Sequence, residues 1–208
     1  MRIIFISDTH SNHRRFDIPD GDVLAHTGDF TKGGNRREIV DFASWLRDQP
    51  HKNKIVIAGN HDFGMQRSPE AFEQLFQKPG VRYLRDSGVC IDGVHFWGSP
   101  WQPEYFDWAF NLPRRGPELH EFWEMIPERT NVLLTHGPPN GILDSTFDGR
   151  LVGCEILKRR IGELPNLKVH AFGHIHEGYG RVRDIRGREF VNSAMVGHRS
   201  EGAIIVDI

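Results

Sequence analysis

Five short motifs rich in histidine and acidic side chains follow apolar stretches of this 208-residue sequence. They are Asp8-Thr9-His10, Gly28-Asp29, Gly59-Asn60-His61-Asp62, Thr135-His136-Gly137 and Gly173-His174-Ile175-His176. Imidazole nitrogens combined with carboxylate and amide oxygens are ligands that suit Mn²⁺, Fe²⁺/Fe³⁺ and Zn²⁺. The side-chain types therefore predict metal-dependent chemistry, and the 12 histidines of the chain agree with that interpretation.

The candidate metal ligands are too many for one tetrahedral ion and suit two divalent transition metal ions instead. They are Asp8, His10, Asp29, Asn60, His136, His174 and His176. Asp29 is the lone acid on its loop, and its two carboxylate oxygens make it the expected bridge between the ions. A two-metal site favours hydrolysis, because ions about 3.5–4 Å apart can clamp both the attacking and the leaving oxygen.

Buried strands that end at each motif are the elements expected to bring these ligands together. Apolar runs predict strands over 2–6, 22–26, 54–58, 131–134 and 168–172. Because ligands bind at the carboxyl ends of strands in open α/β sheets, the five loops are expected to converge on one site. Glycine before Asp29, Asn60 and His174 permits close approach of the backbone to a ligand.

The remaining pattern predicts an α/β fold made of one domain, residues 1–208. Helices are expected over 36–47, 69–77 and 154–161, a hairpin at Asp92-Gly93, and a β-meander over 179–208. The proline-rich stretch 98–127 is expected to leave the sheet core. Strands that alternate with helices and later dominate indicate two packed mixed sheets with helices outside.

Charge and composition exclude several other classes of protein. The chain has 26 basic and 28 acidic residues, which argues against a generally cationic nucleic-acid binder. No apolar run approaches the roughly 18 residues of a membrane span, and the N-terminus lacks a signal-peptide pattern. Cys90 and Cys154 form no CxxC pair, so a reduced, cytoplasmic protein without a membrane partner is expected, and the oligomeric state stays open.

Taken in order, the five motifs resemble those of the calcineurin-like metallophosphoesterase superfamily over residues 2–176. The strings Thr135-His136-Gly137-Pro138-Pro139 and Gly173-His174-Ile175-His176-Glu177-Gly178-Tyr179-Gly180 are most similar to its metallophosphoesterase-domain-containing branch. The segment Trp97-Gly98-Ser99-Pro100-Trp101 agrees with that branch.

The resemblance implies an αββα sandwich of two mixed sheets flanked by helices. It also implies how the ligands divide: one ion on Asp8, His10, Asp29 and His176, the other on Asp29, Asn60, His136 and His174. A metal-bridging hydroxide would attack phosphorus in line. His61 would stabilise or protonate the leaving oxygen, and Asp62 would orient the His61 ring.

These implications favour a metal-dependent phosphodiesterase acting on a small or nucleotide substrate. The protein-phosphatase branch follows its Gly-Asp motif with Asp-Arg-Gly, whose arginine helps to hold a dianionic phosphate. Here Gly28-Asp29 is followed by Phe30-Thr31-Lys32-Gly33-Gly34, which weakens that assignment. A phosphomonoesterase stays the nearest alternative. A catalytically weak scaffold that binds a nucleotide or a protein is the other alternative.

Several further side chains carry weaker signals. Most rings of the aromatic segment 96–110 are expected to pack in the core, and Trp101 or Tyr105 is the better candidate for a nucleobase contact. His13 could either contact substrate or lie in a solvated loop. His26 is expected to support the ligands from behind, His170 to be structural, and His198 has no assigned role.

Overall fold

Most predicted strands are apolar on both faces, and the computed structural model shows why: two sheets pack face to face between layers of helices. The structure describes residues 1–196 and 202–208, so His198 lies outside the described residues. The predicted αββα arrangement is confirmed by this architecture.

In the part of the chain that the structure describes, the first sheet has five strands in the order β13-β1-β2-β3-β4. Its strands are β1 (Arg2–Ile6), β2 (Val23–Thr27), β3 (Asn53–Ile57), β4 (Val81–Tyr83) and β13 (Ile204–Asp207). Strands β1 to β4 run parallel, whereas β13 is antiparallel to β1. The carboxyl ends of β1, β2 and β3 therefore lie at one edge of the sheet.

The second sheet has six strands in the order β11-β12-β10-β9-β6-β5. Its strands are β5 (Ser87–Ile91), β6 (Val94–Ser99), β9 (Val132–Thr135), β10 (Val169–Phe172), β11 (Gly180–Arg183) and β12 (Glu189–Asn192). The inner strands β6, β9, β10 and β12 are parallel, and the hairpin partners β5 and β11 close the edges.

Helices and one short ribbon complete the fold. The helices are α1 (Arg36–Asp48), α2 (Phe63–Arg67), α3 (Pro69–Glu73), α4 (Pro117–Glu124) and α5 (Glu155–Glu163). The ribbon pairs β7 (Gln102–Pro103) with β8 (Asn111–Leu112) inside the segment predicted to leave the core. Helix α1 begins with a capping box, in which Asn35 accepts from Glu38 N–H and the Glu38 carboxylate accepts from Asn35 N–H.

The two faces of each sheet have separate apolar cores because side chains alternate along a strand. The core between the sheets contains Ile3, Phe5, Val23, Ala25, Ile55 and Ile57 from the first sheet, and Phe96, Val132, Leu134, Val169, Ala171 and Val191 from the second. Alternate residues such as Ile4 and Leu133 belong to a cluster that includes apolar residues of α1, α4 and α5. Both sheets are therefore covered on both sides, as parallel sheets require.

Two elements differ from the expectation. The β-meander over 179–208 is wrong: β11 and β12 form a hairpin, but β13 crosses to the first sheet and pairs with β1. There it satisfies backbone groups of β1 that the edge of the sheet would leave unpaired. The helix expected over 69–77 ends at Glu73 and continues only as a 3₁₀ turn, Gln74–Phe76.

Candidate metal centre

The five predicted motifs meet at the carboxyl ends of strands from both sheets. The loops after β1 and β2 are joined by backbone hydrogen bonds from Asp8 N–H to Gly28 O (2.9 Å) and from His10 N–H to Asp29 O (3.0 Å). The two sheets are linked at this end by the hydrogen bond from His174 N–H to the Asp8 carboxylate, at 3.0 Å. The sequence-based convergence therefore holds, although the strands belong to two sheets.

Among residues 1–196 and 202–208, three sets of side chains bring metal-competent atoms within 4.8 Å of one another. They are Asp8 with His10 and His176, Asp8 with Asp29 and His136, and His10 with Asp29 and His61. Asp8, His10 and Asp29 each belong to two of these sets, and Asp29 shares one set with His10 and another with His136.

The other two candidate ligands, Asn60 and His174, adjoin His136. The Oδ1 atom of Asn60 is 3.0 Å from His136 Nε2, and the rings of His174 and His136 are 5.1 Å apart. All seven candidate ligands thus lie in one cluster. Their assignment as ligands, and their division between two ions, stay predictions.

The backbone at these positions is held in unusual conformations. Asp8, His10, Asp29 and His174 all have positive φ values, between 41° and 65°. Residues other than glycine adopt this region at a cost of about 1–3 kcal/mol, and such strain is concentrated at functional sites. The spacing of the motifs gave no signal of this strain.

Two glycines make room for the cluster. A Cβ atom on Gly28, whose φ is +104°, would lie 2.5 Å from His136 Nδ1, and one on Gly173 would overlap the Asp8 carboxylate. Any side chain at either position would displace a candidate ligand. This explains glycine before Asp29 and His174 by close approach, as the sequence predicts.

Two buried carboxylates dominate the electrostatics of the cluster. Burial alone would raise the pKa of Asp8, but the His176 hydrogen bond and the charges of nearby histidines hold this pKa well below its usual range. Burial likewise opposes protonation of His136, yet the Asp29 charge and hydrogen bond outweigh burial and raise the pKa of His136 to about 9. Burial, assisted by the charge of His136, lowers the pKa of His174 to about 4.

The donor set fits a divalent transition metal. The Nδ1 atom of His136 donates to Thr27 O at 2.9 Å, and that of His10 donates to Thr31 O at 3.3 Å. Histidine ligands typically place the second ring nitrogen on a carbonyl in this way, which leaves Nε2 available to a metal. Both Nε2 atoms here face carboxylates, at 3.3 Å from Asp29 and 4.0 Å from Asp8.

His61 lies beside the cluster with its ring directed toward it. Its Nδ1 donates to Lys32 O at 2.8 Å, and its Nε2 is 4.0 Å from the Asp29 carboxylate. Its backbone N–H donates to Asp29 Oδ1 at 2.7 Å. The position suits a proton donor to a leaving group, as the resemblance implies.

Asp62 has a different role from the one expected. Its carboxylate accepts backbone N–H groups from Gly59 (2.8 Å), Asp29 (2.9 Å) and Thr31 (2.9 Å), and accepts the Thr31 hydroxyl. The partner that orients the His61 ring is Lys32 O, so the predicted pairing of Asp62 with that ring is wrong. Burial and the nearby Asp29 charge raise the pKa of Asp62 to about 7.

A cavity of about 430 Å³ opens in front of the cluster. Beside Asp29, Asn60, His61, His174 and His176, its lining includes Gln102, Tyr105, Trp108, Arg114 and Arg150. Tyr105 lines this cavity, and its contact with a nucleobase stays a prediction. Trp101 does not line it, because it is 9% exposed and stacks on Phe122 in the core.

The outer histidines occupy supporting positions. His13 is buried against Trp45 and contacts Asp41 at 3.1 Å, so neither the substrate contact nor the solvated position holds. His26 accepts from Gly28 N–H and donates to Thr9 Oγ1, directly behind two ligand loops. His170 is buried in β10 and contacts Thr135 Oγ1 at 2.8 Å.

Sequence reasoning missed Lys32, Thr31 and Trp108. Lys32 and Thr31 act through backbone carbonyls, which no residue type encodes. Trp108 lines the cavity and stands 4.7 Å from the His61 ring, but in the sequence it is one of several aromatic residues between 96 and 110. Only the fold distinguishes it from the buried rings of that segment.

An αββα sandwich with a buried His/Asp/Asn cluster at the carboxyl ends of its strands defines a metallophosphoesterase-type protein. The family model for calcineurin-like phosphoesterases matches residues 1–178. The chain belongs to the calcineurin-like phosphoesterase family, as the sequence motifs indicate.

Similar proteins agree with the predicted branch. Metallophosphoesterase domain-containing protein 1 of Homo sapiens is 40% identical over 205 residues, which cover 88% of this chain and 63% of that protein. The UPF0046 protein K07C11.7 of Caenorhabditis elegans is 39% identical over 207 residues, covering 93% of this chain and 69% of that protein. The chain therefore spans less than two thirds of the length of the human relative.

Solved structures show the same fold. The crystal structure of TT1561 of Thermus thermophilus superimposes with a TM-score of 0.64 at 15% identity, covering 92% of this chain and 88% of that one. Such low identity bears on the fold alone. Within residues 1–196 and 202–208, none of the helices combines the length and apolarity that a bilayer crossing needs.

Proposed function

We propose that the chain is a dinuclear metal-dependent phosphodiesterase that hydrolyses a small or nucleotide phosphodiester. The observation that carries this proposal is the Asp29 carboxylate, which is 2% exposed, lines the cavity, and is grouped with His10 in one potential metal set and with His136 in another. A single buried carboxylate can hold two adjacent cations, because each of its two oxygens can bind one of them.

The residues of this chain divide the work of the reaction. Asp8, His10, Asp29 and His176 would hold one ion, and Asp29, Asn60, His136 and His174 the other. Two bound divalent ions supply Lewis-acid polarisation of the phosphoryl group and activation of water. His61 faces the cavity with its Nδ1 hydrogen fixed on Lys32 O, so Nε2 is the atom that would hold a proton for the leaving oxygen.

The charges around the cavity favour a diester over a monoester. Arg114 donates to the carbonyls of Gly153 and Val152 and to Glu155, and Arg150 donates to Asp148. Both arginines that line the described cavity are thus already engaged. A phosphodiester carries one negative charge and needs less cationic clamping than a dianionic monoester.

Matched aryl phosphates test this assignment directly. The protein is loaded in turn with Mn²⁺, Fe²⁺ and Zn²⁺, and kcat/KM is measured for an aryl phosphodiester and the corresponding monoester. We expect the diester to have the higher kcat/KM, and Asp29→Ala, which lacks the proposed bridge, to hydrolyse both esters far more slowly than the wild type.

Two other results would replace the proposal. A clear preference for the monoester with every metal would make the chain a phosphomonoesterase. Metal binding without hydrolysis above the Asp29→Ala rate, for either ester, would favour the scaffold alternative.

A further inference from the structure

The His61 ring is in contact with neighbours on three sides. Its Nδ1 donates to Lys32 O, its edge meets the His10 ring at a centroid distance of 4.7 Å, and the Trp108 ring lies 4.7 Å away at an interplanar angle of 58°. The side chain of His61 is 29% exposed. Trp108 is the one of these neighbours that lies outside the loops carrying the five motifs.

Trp108 is fixed to the same loop that carries His61. Ala109 N–H donates to Asn60 O at 3.1 Å, and Phe110 N–H donates to Gln66 Oε1 at 2.9 Å. Asn60 precedes His61, and Gln66 lies in α2, which begins immediately after Asp62. The backbone of residues 109 and 110, which follows Trp108, is therefore hydrogen-bonded to the chain on both sides of His61.

One hydrogen bond does not define the plane of a histidine ring. The χ2 torsion of histidine is broad, so the bond from Nδ1 to Lys32 O leaves the ring free to rock about that contact. His10 limits this motion on one side, and Trp108 limits it on another. Without the indole, the Nε2 atom would sample orientations away from the Asp29 carboxylate.

We propose that Trp108 is a positioning residue for His61, whose indole keeps the imidazole Nε2 directed at the metal cluster. The catalytic consequence rests on the proposed function, in which His61 serves the leaving group. A misplacement of a reacting group by about 1 Å can cost 10²-fold in rate. The contact therefore matters for turnover and not for metal binding, because Trp108 belongs to none of the metal-competent sets.

Trp108→Leu and Trp108→Phe test the role, with Phe106→Leu as the matched control. Phe106 lies on the same segment, is 73% exposed, and has its ring 5.9 Å from Trp108. Zinc-loaded protein is diamagnetic, so the His61 ring protons can be followed by NMR and assigned with His61→Asn. Because loss of the indole ring current alone shifts nearby resonances, the readout is the NOE between the His61 and His10 ring protons. We expect Trp108→Leu to weaken this NOE, Trp108→Phe to weaken it less, and Phe106→Leu to leave it unchanged.

Kinetics supply the second measurement. We expect Trp108→Leu to lower kcat by about 10- to 100-fold with KM and zinc content unchanged, and Trp108→Phe to recover most of that loss. In the His61→Ala background, Trp108→Leu should cause no further fall in kcat, because the group that it positions is gone.

The outcomes separate the proposal from the proposed function. An unchanged NOE between the His61 and His10 rings in Trp108→Leu would overturn the positioning role. A raised KM with unchanged kcat would also overturn it, because Trp108 would then act on substrate binding. Equal losses in the wild-type and His61→Ala backgrounds would also overturn it. If the zinc-loaded wild type hydrolyses neither ester, the proposed function fails, and the NMR comparison still decides whether Trp108 positions the ring.

Discussion

The candidate centre has two halves that are supported differently. The first-sheet half, the loops after β1, β2 and β3, is tied together internally: loop backbones pair with each other, and Asp62 gathers N–H groups from two loops. The loops of the second-sheet half, after β9 and β10, share the backbone hydrogen bond from Gly173 N–H to His136 O, but their histidines bond across to the first half. His136 donates to Thr27 O, and His174 N–H donates to Asp8.

This difference indicates that the arrangement of the second-sheet half depends on the first-sheet half. The first-sheet half contains the buried Asp62 carboxylate, which hydrogen-bonds to the loops after β2 and β3. Its loops can therefore keep their arrangement when the second half is disturbed. The histidines of the second-sheet half have their partners across the sandwich, on Thr27, Asp8 and Asp29. Changes in the first half should therefore spread to the second, and changes in the second should stay local.

The largest effect is expected from Asp29→Ala, because Asp29 joins the halves. Its carboxylate accepts from His61 N–H and lies 3.3 Å from His136 Nε2. Metal content by mass spectrometry should fall for both ions, and kcat/KM should drop by about 10³-fold or more. Asp41→Ala, which removes a half-exposed acid paired with Arg14, is the control. Retention of two tightly bound metals in Asp29→Ala would remove Asp29 from the bridging role.

The next largest effects, on kcat and on metal content, are expected from replacing one histidine in each half, His61 and His176. His61→Ala should keep both metals and lower kcat by about 10²–10⁴-fold, the usual worth of general acid catalysis. The loss should be smaller for a nitrophenolate leaving group, which departs without a proton, than for an alkyl alcohol. His176→Ala should instead lose one metal, since His176 is 3.3 Å from Asp8. Loss of a metal in His61→Ala would show that His61 is a ligand.

A smaller effect is expected from Asp62→Asn, which tests the hydrogen bonds that join the loops of the first-sheet half. An amide cannot accept the N–H groups of Gly59, Asp29 and Thr31 with both of its heavy atoms. We expect metal affinity, measured by competition with a chelator, to fall about 10- to 100-fold, as for other outer partners of metal ligands.

Asp144→Asn is the matched control for that variant. Asp144 is also a buried carboxylate, and it accepts N–H groups from Gly141 and Gly153 in the loop that precedes α5. Its substitution should lower thermal stability with little change in metal affinity. Equal losses of affinity in the two variants would mean that Asp62 acts only through general stability.

The sequence predicts the strands and the cluster well because both depend on local pattern. Apolar runs mark buried strands, and His/Asp motifs at their ends mark the cluster. What it could not predict depends on contacts between distant segments. Three features depend on such long-range contacts. Strand β13 crosses to the first sheet, the Asp62 carboxylate accepts hydrogen bonds from the loop after β2, and Trp108 packs beside His61.

The smallest effect is expected on the pH dependence of stability. It comes from two buried histidines, one behind the ligand loops of each half. His26 contacts Thr9 Oγ1 behind the first-sheet half, and His170 contacts Thr135 Oγ1 behind the second. Burial lowers the pKa of each to about 3. Each ring is therefore neutral in the folded protein at pH 5 but protonated in the unfolded chain, whose histidine pKa is about 6.5.

The stability from these rings is fully present above about pH 6.5 and is lost as the pH falls from there toward 3. Between pH 7 and pH 5, each histidine should lower the free energy of unfolding by about 2 kcal/mol. Urea unfolding of metal-free wild type, His26→Gln and His170→Gln at both pH values measures this, and each variant should show a pH dependence about 2 kcal/mol smaller. The two decreases should be equal, because desolvation, the dominant cause, is shared by both sites. A smaller pH dependence in His26→Gln alone would mean that the second-sheet half, unlike the first, admits water or a counter-charge behind its ligand loops.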